Sequence, residues 1–471
     1  MREMFLSVGA LAGITGRDET PQERLRRSPL ILLAGLIAVM SAAALLIGLP
    51  TRSLVALPLY ARQTGQPCAG CHTAFPELTP FGRRFKLGGY TMGGGESSLP
   101  PIAVMLQPTF TRTEVGQPGG AAPHFGPNNN FAVQDVSLFT GGRITDNIGA
   151  FVQGTYDGIG RRFAWDNTDI RFARSSKLGD HDLLWGLTLN NNPTVQDVWN
   201  TTPAWRFPYI TSGLAPQPAA NTFVEGAFSQ RVLGLGSYGL IDDLLYLELT
   251  GYRTLSRNTQ LALGINPSEG SAIDSVAPYW RIALEPNFGK HSLQIGTFGM
   301  HSKIVPFRMG GAGTDSFTDL GVDSQYQYID EEHSFTVRAS WIHENRNLGA
   351  SQVLGLADNN RDTLHSLRVS TSYIFDKTWS LTGARFSTTG SADAALYGTA
   401  NGSPNSRGWI AELAYLPFMR GGPTFWPWLN ARIGLQYTFY DKFNGASTKF
   451  DGNGRNAHNN NTLLVYAWIM F

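Results

Sequence analysis

This chain has few cysteines, few charged residues and one long apolar run. Its 471 residues include two cysteines, Cys68 and Cys71, so it can form one site that needs a pair of thiols. Charged residues make up 15%, which is low for a soluble enzyme of this length. The mean hydropathy of −0.14 argues against a helical membrane protein. The formal net charge of +1 at pH 7 gives no reason to expect nucleic acid as a partner.

Glycine, aromatic residues and small polar residues are abundant instead. There are 53 glycines, aromatic residues reach 11%, and runs of asparagine occur beside many threonines and serines. Low charge together with much glycine and aromatic content suits a transmembrane β-barrel. The predicted fold class is therefore all-β.

The long apolar run covers residues 29–50 and follows Arg24, Arg26 and Arg27. Positive charge, an apolar core and then small residues are typical of a secretory signal peptide. A retained membrane anchor is the alternative, because the run is long for the core of a signal peptide. We assign residues 1–61 to a leader and signal peptide, which predicts export across the inner membrane.

The stretch Cys68-Ala69-Gly70-Cys71-His72 is the attachment signal for c-type haem. Each thiol closes a thioether on one haem vinyl group, and the short turn brings His72 to the iron as proximal ligand. A zinc site would need four ligands, and a redox pair would be expected near a βαβ pattern, which is not found around this motif. Zinc and a disulfide remain the alternatives. The sequence predicts one covalent haem c, held by Cys68 and Cys71.

A short helix is predicted directly after the motif. Thr79 suits the N-cap and Pro80 the first helical position, and the pair Gly88-Gly89 ends the helix. Leu78, Phe81 and Phe85 form an apolar stripe that can cover one haem face. The basic residues on the other faces have two interpretations, contact with haem propionates or an anionic partner on the one hand and solvated surface charge on the other; they are Arg83, Arg84 and Lys86.

A second axial ligand is needed if the haem iron is six-coordinate. Met92 and Met105 are the methionines that follow the motif, and either sulfur would raise the haem potential relative to ligation by two histidines. Ordinary packing is the alternative role for each of them. His124 is the nearest other histidine in the sequence.

Apolar and polar residues alternate from residue 101 onward, as where Leu245, Leu247 and Leu249 interleave with Tyr246, Glu248 and Thr250. One face apolar for lipid and one face polar for the lumen is typical of an outer-membrane barrel. Seven short turns alternate with eight longer loops, which include residues 158–164 and 302–322, and this arrangement predicts sixteen strands. The last segment alternates too, with Tyr466 and Trp468 on one face, and it ends in Phe471. We assign residues 62–100 to a small monohaem cytochrome c segment and 101–471 to a sixteen-stranded transmembrane outer-membrane β-barrel.

The haem segment resembles the fused monohaem cytochrome–porins of the outer membrane, a family that includes the Fe(II) oxidases of iron-oxidising bacteria. The residues that carry the resemblance span about 30 positions and are Ala61-Arg62-Gln63-Thr64-Gly65, the haem motif, Phe75-Pro76, Leu78, Phe81-Gly82-Arg83, Phe85-Lys86 and Gly89-Tyr90. The resemblance assigns haem attachment to Cys68 and Cys71 and proximal ligation to His72. It assigns no catalytic residue and no iron-binding residue.

The resemblance implies that electrons from extracellular Fe(II) pass through the haem to a periplasmic c-type cytochrome or another small carrier. If the protein is an enzyme, it is then an Fe(II):cytochrome c oxidoreductase. The expected location is the outer membrane of a Gram-negative bacterium, with the haem segment in the lumen or on the periplasmic side. A solute porin with a structural or regulatory haem, and outward electron transfer to extracellular acceptors, are the alternatives.

Two polar clusters fall in predicted loops. Asp315, Asp319 and Asp323 lie where an extracellular loop is expected and can attract Fe(II), although solvated loop charge is the more ordinary interpretation. The run Asn190-Asn191-Asn192 is interpreted as loop solvation.

Overall fold

The computed structural model describes residues 58–94, 101–226, 228–266, 270–424 and 426–471. Nearly all of the predicted leader and signal peptide lies outside the described residues. Among the residues described, no helix is both long enough and apolar enough to span a membrane.

Sixteen long antiparallel strands form one closed sheet within the described residues. The ring closes because the first strand pairs with both the second and the last, so that Phe110 lies opposite Phe131 on one side and Val465 on the other. Two further pieces of two residues each, Ala272–Ile273 and Asn287–Phe288, extend the pairing locally. The sixteen strands are β1 (Ile102–Thr113), β2 (Asn130–Arg143), β3 (Ile148–Asp157), β4 (Arg162–Leu178), β5 (His181–Asn190), β6 (Val232–Ile241), β7 (Leu245–Thr254), β8 (Ala277–Leu284), β9 (His291–Val305), β10 (Asp315–Ile329), β11 (His333–Asn347), β12 (Arg361–Phe375), β13 (Trp379–Gly390), β14 (Ser406–Tyr415), β15 (Asn430–Lys442) and β16 (Thr462–Met470). The prediction of an all-β, sixteen-stranded barrel is confirmed.

The two faces of the barrel differ as the alternation predicts. Successive side chains of a strand point to opposite faces, and closure turns one face outward and the other into the lumen. The outward face carries large exposed apolar side chains, among them Leu235, Leu249, Ile295, Leu381, Trp409 and Leu413. The inward face is largely polar and buried, as for Gln325 and Gln327 on β10 or Thr336 and Arg338 on β11.

Short turns and long loops occupy opposite ends of the barrel. The predicted short turns after β2, β4, β6, β8, β10 and β12 are confirmed, whereas β14 and β15 are joined by the longer connection 416–429. One predicted long loop is wrong, because only residues 158–161 separate β3 from β4. The stretch 302–322 is likewise mostly strand, since β9 continues to Val305 and β10 begins at Asp315.

The helices within the described residues are short. Three lie before the barrel: α1 (Pro58–Thr64), α2 (Cys68–Cys71) and α3 (Pro80–Leu87). Four lie in connections between strands: α4 (Pro193–Gln196), α5 (Arg257–Ala262), α6 (Gly349–Val353) and α7 (Ala394–Tyr397). Single turns of 3₁₀ helix occur at Phe223–Glu225, Pro306–Arg308 and Ala457–Asn460.

The N-terminal segment, residues 58–94, lies inside the ring of strands. It makes polar contacts with inward-facing side chains of four strands spaced around the barrel, and a single segment can reach all four only from the lumen. The contacts are Tyr90 Oη to Asp169 Oδ2 on β4 at 2.7 Å, Arg83 Nη2 to Ser292 Oγ on β9 at 3.0 Å, Arg338 Nη2 on β11 to Glu77 Oε2 at 3.2 Å, and Arg432 Nη1 on β15 to the Phe75 carbonyl at 3.1 Å.

The long connection between β5 and β6 also folds into the lumen. We call residues 191–226 the inserted loop. Trp199 Nε1 donates to Glu285 Oε2 at 2.6 Å, and Gln436 Nε2 on β15 donates to the Ile210 carbonyl at 3.0 Å. The interpretation of Asn190-Asn191-Asn192 as a solvated run is therefore wrong. These side chains are 0–4% exposed, and they bond to neighbouring chain, as Asn191 Oδ1 does in accepting from the amide of Thr168 at 2.8 Å.

Candidate haem site

The turn that carries the two cysteines is fixed to the barrel wall. Asn430 Nδ2, at the start of β15, contacts the Cys68 sulfur at 2.8 Å, and the Ala69 amide donates to the Met419 carbonyl at 3.0 Å. Thr79 Oγ1 donates to the Gly70 carbonyl at 2.8 Å. The one-turn helix α2 is thus held from both sides, with each thiol at one of its ends.

Helix α3 packs directly on this turn. Thr79 caps the helix by accepting a hydrogen bond from the Gly82 amide at 3.1 Å, as predicted, and Gly88 follows its last residue. A Cβ at position 82 would lie 2.2 Å from the Cys71 carbonyl oxygen. Glycine is therefore required at Gly82 for helix α3 to approach the cysteine turn so closely.

His72 follows the turn with its ring held by one hydrogen bond. Nδ1 lies 3.2 Å from the Glu77 carbonyl oxygen. A carbonyl oxygen only accepts, so Nδ1 carries the proton and Nε2 keeps its lone pair. Burial lowers the pKa of His72 to about 4, so the imidazole is neutral. A neutral histidine with one nitrogen bonded to a backbone carbonyl is the usual form of a metal ligand.

Burial also raises the pKa of both cysteine thiols. The pKa of Cys71 is raised to about 11, and that of Cys68 still further, because the thiolate would lose its hydration. The two cysteines do not form a disulfide with each other. Their low acidity argues against a reactive redox pair, which requires a lowered thiol pKa.

A cavity opens beside Cys71 and His72. Its empty volume is about 1110 Å³, its open mouth included, which reaches the size of cofactor pockets. Most of its wall is apolar, and the side chains come from the N-terminal segment, the inserted loop and the barrel. The apolar lining residues are Phe75, Leu78, Phe85, Phe139, Phe151, Val195, Val198, Trp205, Trp468 and Met470.

Three hydrogen-bond donors in the cavity wall have no partner among the described residues. They are Thr194 Oγ1 and Asn200 Nδ2 of the inserted loop and Trp468 Nε1 of β16. Buried donors are nearly always paired, so an unpaired group in a native protein requires an explanation. Acceptor groups on a molecule in the cavity could pair with them.

These observations fit a haem. Haem has an apolar macrocycle, which matches the aromatic and aliphatic wall, and two propionate carboxylates, which are hydrogen-bond acceptors. Cys71 and His72 line the cavity, and Cys68 lies one helical turn from Cys71. Cys68, Cys71 and His72 would hold the group, and Thr194, Asn200 and Trp468 would receive its carboxylates.

The predicted apolar stripe is correct in part. Leu78 and Phe85 line the cavity, whereas Phe81 is 39% exposed and lies outside it.

The three basic residues of α3 have different environments. Arg83 is buried and donates to Glu285, so neither propionate contact nor surface charge describes it. Arg84 pairs with Asp243, in the turn between β6 and β7, where both side chains are solvent-exposed. Lys86 lines the cavity and donates to the Val195 carbonyl, and burial lowers its pKa to about 8.

Glu77 joins the N-terminal segment, the inserted loop and the barrel. Its carboxylate accepts from Thr73 Oγ1 and from Tyr209 Oη, each at 2.9 Å, and lies 3.2 Å from Arg338 Nη2 on β11. Burial opposes ionisation of Glu77, but Arg338 and the hydrogen bonds outweigh it and hold the pKa below its ordinary value. The carboxylate is therefore ionised at neutral pH and ties three parts of the chain together.

The methionines that follow the haem motif most closely in the sequence do not line the cavity beside His72. Met105 on β1 is buried but lines a neighbouring cavity, and Met92 is 39% exposed. The methionine that lines the cavity of His72 is Met470, at the end of β16. His124 is exposed, in the loop between β1 and β2. The alternation of β16, which puts Met470 on the same face as Tyr466 and Trp468, is the sequence signal that points to it.

The predicted loop carboxylates are not in a loop. Asp315, Asp319 and Asp323 all belong to β10 and are buried on its inward face, where Asp323 pairs with Arg281 of β8. Within the described part of the chain, no three His, Cys, Asp or Glu side chains lie together so that they could hold a metal ion.

No protein-family model and no curated protein sequence matches this chain. Solved structures that are similar include OprB of Pseudomonas putida (12% identity, TM-score 0.44, 78% of this chain and 93% of the other). An anion-selective porin from Comamonas acidovorans (11%, 0.43, 78% and 98%) and the outer membrane protein OmpT of Vibrio cholerae (7%, 0.41, 79% and 96%) are also similar. These similarities concern the barrel, and the architecture itself follows from the strand pairing.

Proposed function

We propose that this protein is an outer-membrane electron conduit with one c-type haem bound to Cys68 and Cys71. Extracellular Fe(II) gives electrons to the haem, and a periplasmic c-type cytochrome or another small carrier removes them. The chain is then a member of the fused cytochrome–porins and an Fe(II):cytochrome c oxidoreductase. The observation that carries the proposal is the cysteine turn and His72 beside an apolar cavity with three unpartnered donors.

The barrel supports a membrane location. A closed barrel leaves no unpaired strand edge, and its outward face is apolar, which suits hydrocarbon. Outer-membrane barrels keep their short turns in the periplasm. Arg84 contacts the turn residue Asp243 at the short-turn end, which supports a periplasmic position for the haem segment in this proposal. A periplasmic carrier can approach it there.

The filled lumen favours electron transfer over free diffusion of solutes. The N-terminal segment and the inserted loop both lie inside the barrel and bond to its inner wall. When bound, the haem supplies the one-electron redox chemistry. Cys68 and Cys71 would attach it, His72 is neutral and could ligate its iron, and the apolar wall of the cavity would face its ring.

In this proposal, Fe(II) reaches the haem from the long-loop end of the barrel through two polar cavities. Their empty volumes are about 1460 and 1400 Å³, open mouths included, and both share Trp205 and Arg206 in their walls. The first also shares Trp205 and Asn167 with the cavity beside His72. The second reaches Thr388 and Thr462, at the ends of strands that meet the long loops. In this proposal a small hydrated cation reaches the haem through these cavities.

The same polar cavities are the specific observation in favour of a second candidate, a solute porin with a structural or regulatory haem. That function requires a continuous aqueous path through the lumen. Steady single-channel conductance of the purified protein in a planar bilayer would support it. Outward electron transfer is the third candidate, and a haem potential below that of the Fe(III)/Fe(II) couple at the working pH would favour it.

The decisive test has two steps. Mass spectrometry of the mature chain should show one covalent haem, and the Cys68→Ala/Cys71→Ala variant, which should still form a heat-modifiable barrel, should show none. Rapid mixing of the oxidised protein with Fe(II) at its working pH should then produce the reduced haem spectrum. A haem that accepts electrons from dithionite but stays oxidised with Fe(II) would refute iron oxidation. A chain that carries no covalent haem would refute the conduit.

A further inference from the structure

We propose that Met470 is the second axial ligand of the haem iron, in addition to His72. This inference rests on the proposed haem and identifies a ligand at the opposite end of the chain from the attachment motif. It differs from the prediction made from sequence order, which favoured Met105 or Met92.

Met470 is the methionine whose side chain lines this cavity. The lysine and the two tyrosines of the cavity wall, which could also ligate iron, already have partners. Lys86 donates to the Val195 carbonyl, Tyr60 Oη donates to the Ala150 carbonyl at 3.0 Å, and Tyr90 Oη donates to Asp169 at 2.7 Å. Of the histidines and methionines in the described residues, His72 and Met470 line this cavity.

The strand register places Met470 close to the attached cysteines. Met470 lies opposite Asn430 in the pairing of β16 with β15, and neighbouring strands are about 4.8 Å apart. Asn430 Nδ2 in turn contacts the Cys68 sulfur at 2.8 Å. One strand spacing, the side chain of Asn430 and one hydrogen bond therefore separate the backbone of Met470 from the Cys68 sulfur.

The other methionines near the site lie outside the cavity, and the sulfur atoms of two of them already contact other side chains. Met105 lies opposite Met470 in the pairing of β1 with β16, but its sulfur accepts a contact from Gln107 Nε2 at 3.7 Å and it lines the neighbouring cavity. The Met419 sulfur lies 4.0 Å from Asn430 Nδ2 and is outside the cavity lining. Met92 is largely exposed.

Met470 is also held in place by the pairing of its strand. It is 5% exposed and is paired on both sides, to β1 and to β15. Trp468, two residues earlier on the same face, packs its ring edge-to-face on Phe75 at 5.3 Å between centroids. A ligand on a paired strand is positioned more rigidly than one on a loop. A methionine sulfur in this place raises the haem potential relative to a second histidine, as an electron acceptor for Fe(II) requires.

The experiment compares Met470→Leu with Met105→Leu and Met92→Leu in the intact protein. Leucine keeps the volume of methionine but cannot ligate iron, so the fold should tolerate each change. Met470→Leu should lose the weak long-wavelength absorption band that a methionine sulfur gives on ferric haem, and its midpoint potential should fall. The two control variants should keep the band. Met470→His should regain a low-spin spectrum, now that of ligation by two histidines.

A second readout needs no change at position 470. In the reduced parent protein, labelled with ¹³C in its methionine methyl groups, an axial methionine gives one resonance moved far upfield by the porphyrin ring. That resonance should persist in Met105→Leu and in Met92→Leu, and its loss in either would overturn the proposal. A parent protein that binds covalent haem but lacks both the band and the shifted resonance would overturn it too, while leaving the proposed conduit intact. Absence of covalent haem would instead refute the conduit.

Discussion

Arg83 is the residue whose removal should release the N-terminal segment from the barrel wall. Its guanidinium is 2% exposed, and Nη2 lies 2.6 Å from Glu285 Oε1 and 3.0 Å from Ser292 Oγ. Nη1 donates to the side-chain oxygens of Gln325 at 3.1 Å and Gln327 at 2.8 Å. In Arg83→Met all of these bonds are lost.

The expected loss of stability in Arg83→Met follows from the groups that remain around the Glu285 carboxylate. Glu285 would keep the hydrogen bond from Trp199 Nε1 at 2.6 Å but would lose its cation in a buried site. Removing one partner of a buried ion pair costs about 3–5 kcal/mol, which corresponds to an increase of between about 10² and 10⁴ in the opening equilibrium of the segment. Arg83→Met/Glu285→Met removes both charges, and such replacements are often near neutral. The double variant should therefore return to within about tenfold of the parent.

Hydrogen exchange followed by mass spectrometry measures this opening directly. Peptides that cover α3 should exchange faster in Arg83→Met, while peptides from β12 serve as an internal reference. Arg84→Met is the matched control, because Arg84 is on the same helix but its pair with Asp243 is solvent-exposed. Exposed pairs contribute about 0–1 kcal/mol, so exchange should change by less than about fivefold. The reasoning fails if the two single variants behave alike, or if the double variant opens as readily as Arg83→Met.

Two further predictions concern the same region. Tyr209→Phe removes one hydrogen bond to the buried carboxylate of Glu77, which is worth about 1.5–3 kcal/mol. Hydrogen exchange of peptides from the inserted loop should become about 10- to 100-fold faster in this variant. Tyr437→Phe, at a partly exposed tyrosine of β15, is the control. An unchanged exchange rate in Tyr209→Phe would show that Glu77 does not anchor the loop. Trp468→Phe keeps an aromatic ring in the cavity wall but removes one of its three unpartnered donors. If the indole N–H of Trp468 donates to a haem propionate, the pH dependence of the midpoint potential should shift in this variant while covalent haem stays bound. The control Trp409→Phe, on the outward face, should leave the pH dependence of the midpoint potential unchanged. A pH dependence equal to that of the parent would remove Trp468 from the set of propionate partners.

Local patterns in the sequence were enough to predict the barrel and the turn that carries the cysteines. The alternation of apolar and polar residues is a property of each strand alone, because successive side chains point to opposite faces wherever the strand lies. Counting turns and loops then gave sixteen strands, although single boundaries such as 158–164 were wrong. The cap at Thr79 and the end of α3 were predictable for the same reason, since a helix end is satisfied by residues within one turn.

The sequence by itself therefore determined the strand period, the closed barrel and the local geometry of a Cys-x-x-Cys-His turn. What lies in the lumen was decided only by tertiary structure. Arg83 meets Glu285, 202 positions away, and Asn430 meets Cys68, 362 positions away. Such pairs come together because closure of the sheet brings strands from both ends of the chain to one wall, and no local pattern encodes which inward side chain a folded-in segment will face. The same closure puts Met470 in the wall of the cavity that His72 lines, although sequence order alone pointed to Met92 and Met105.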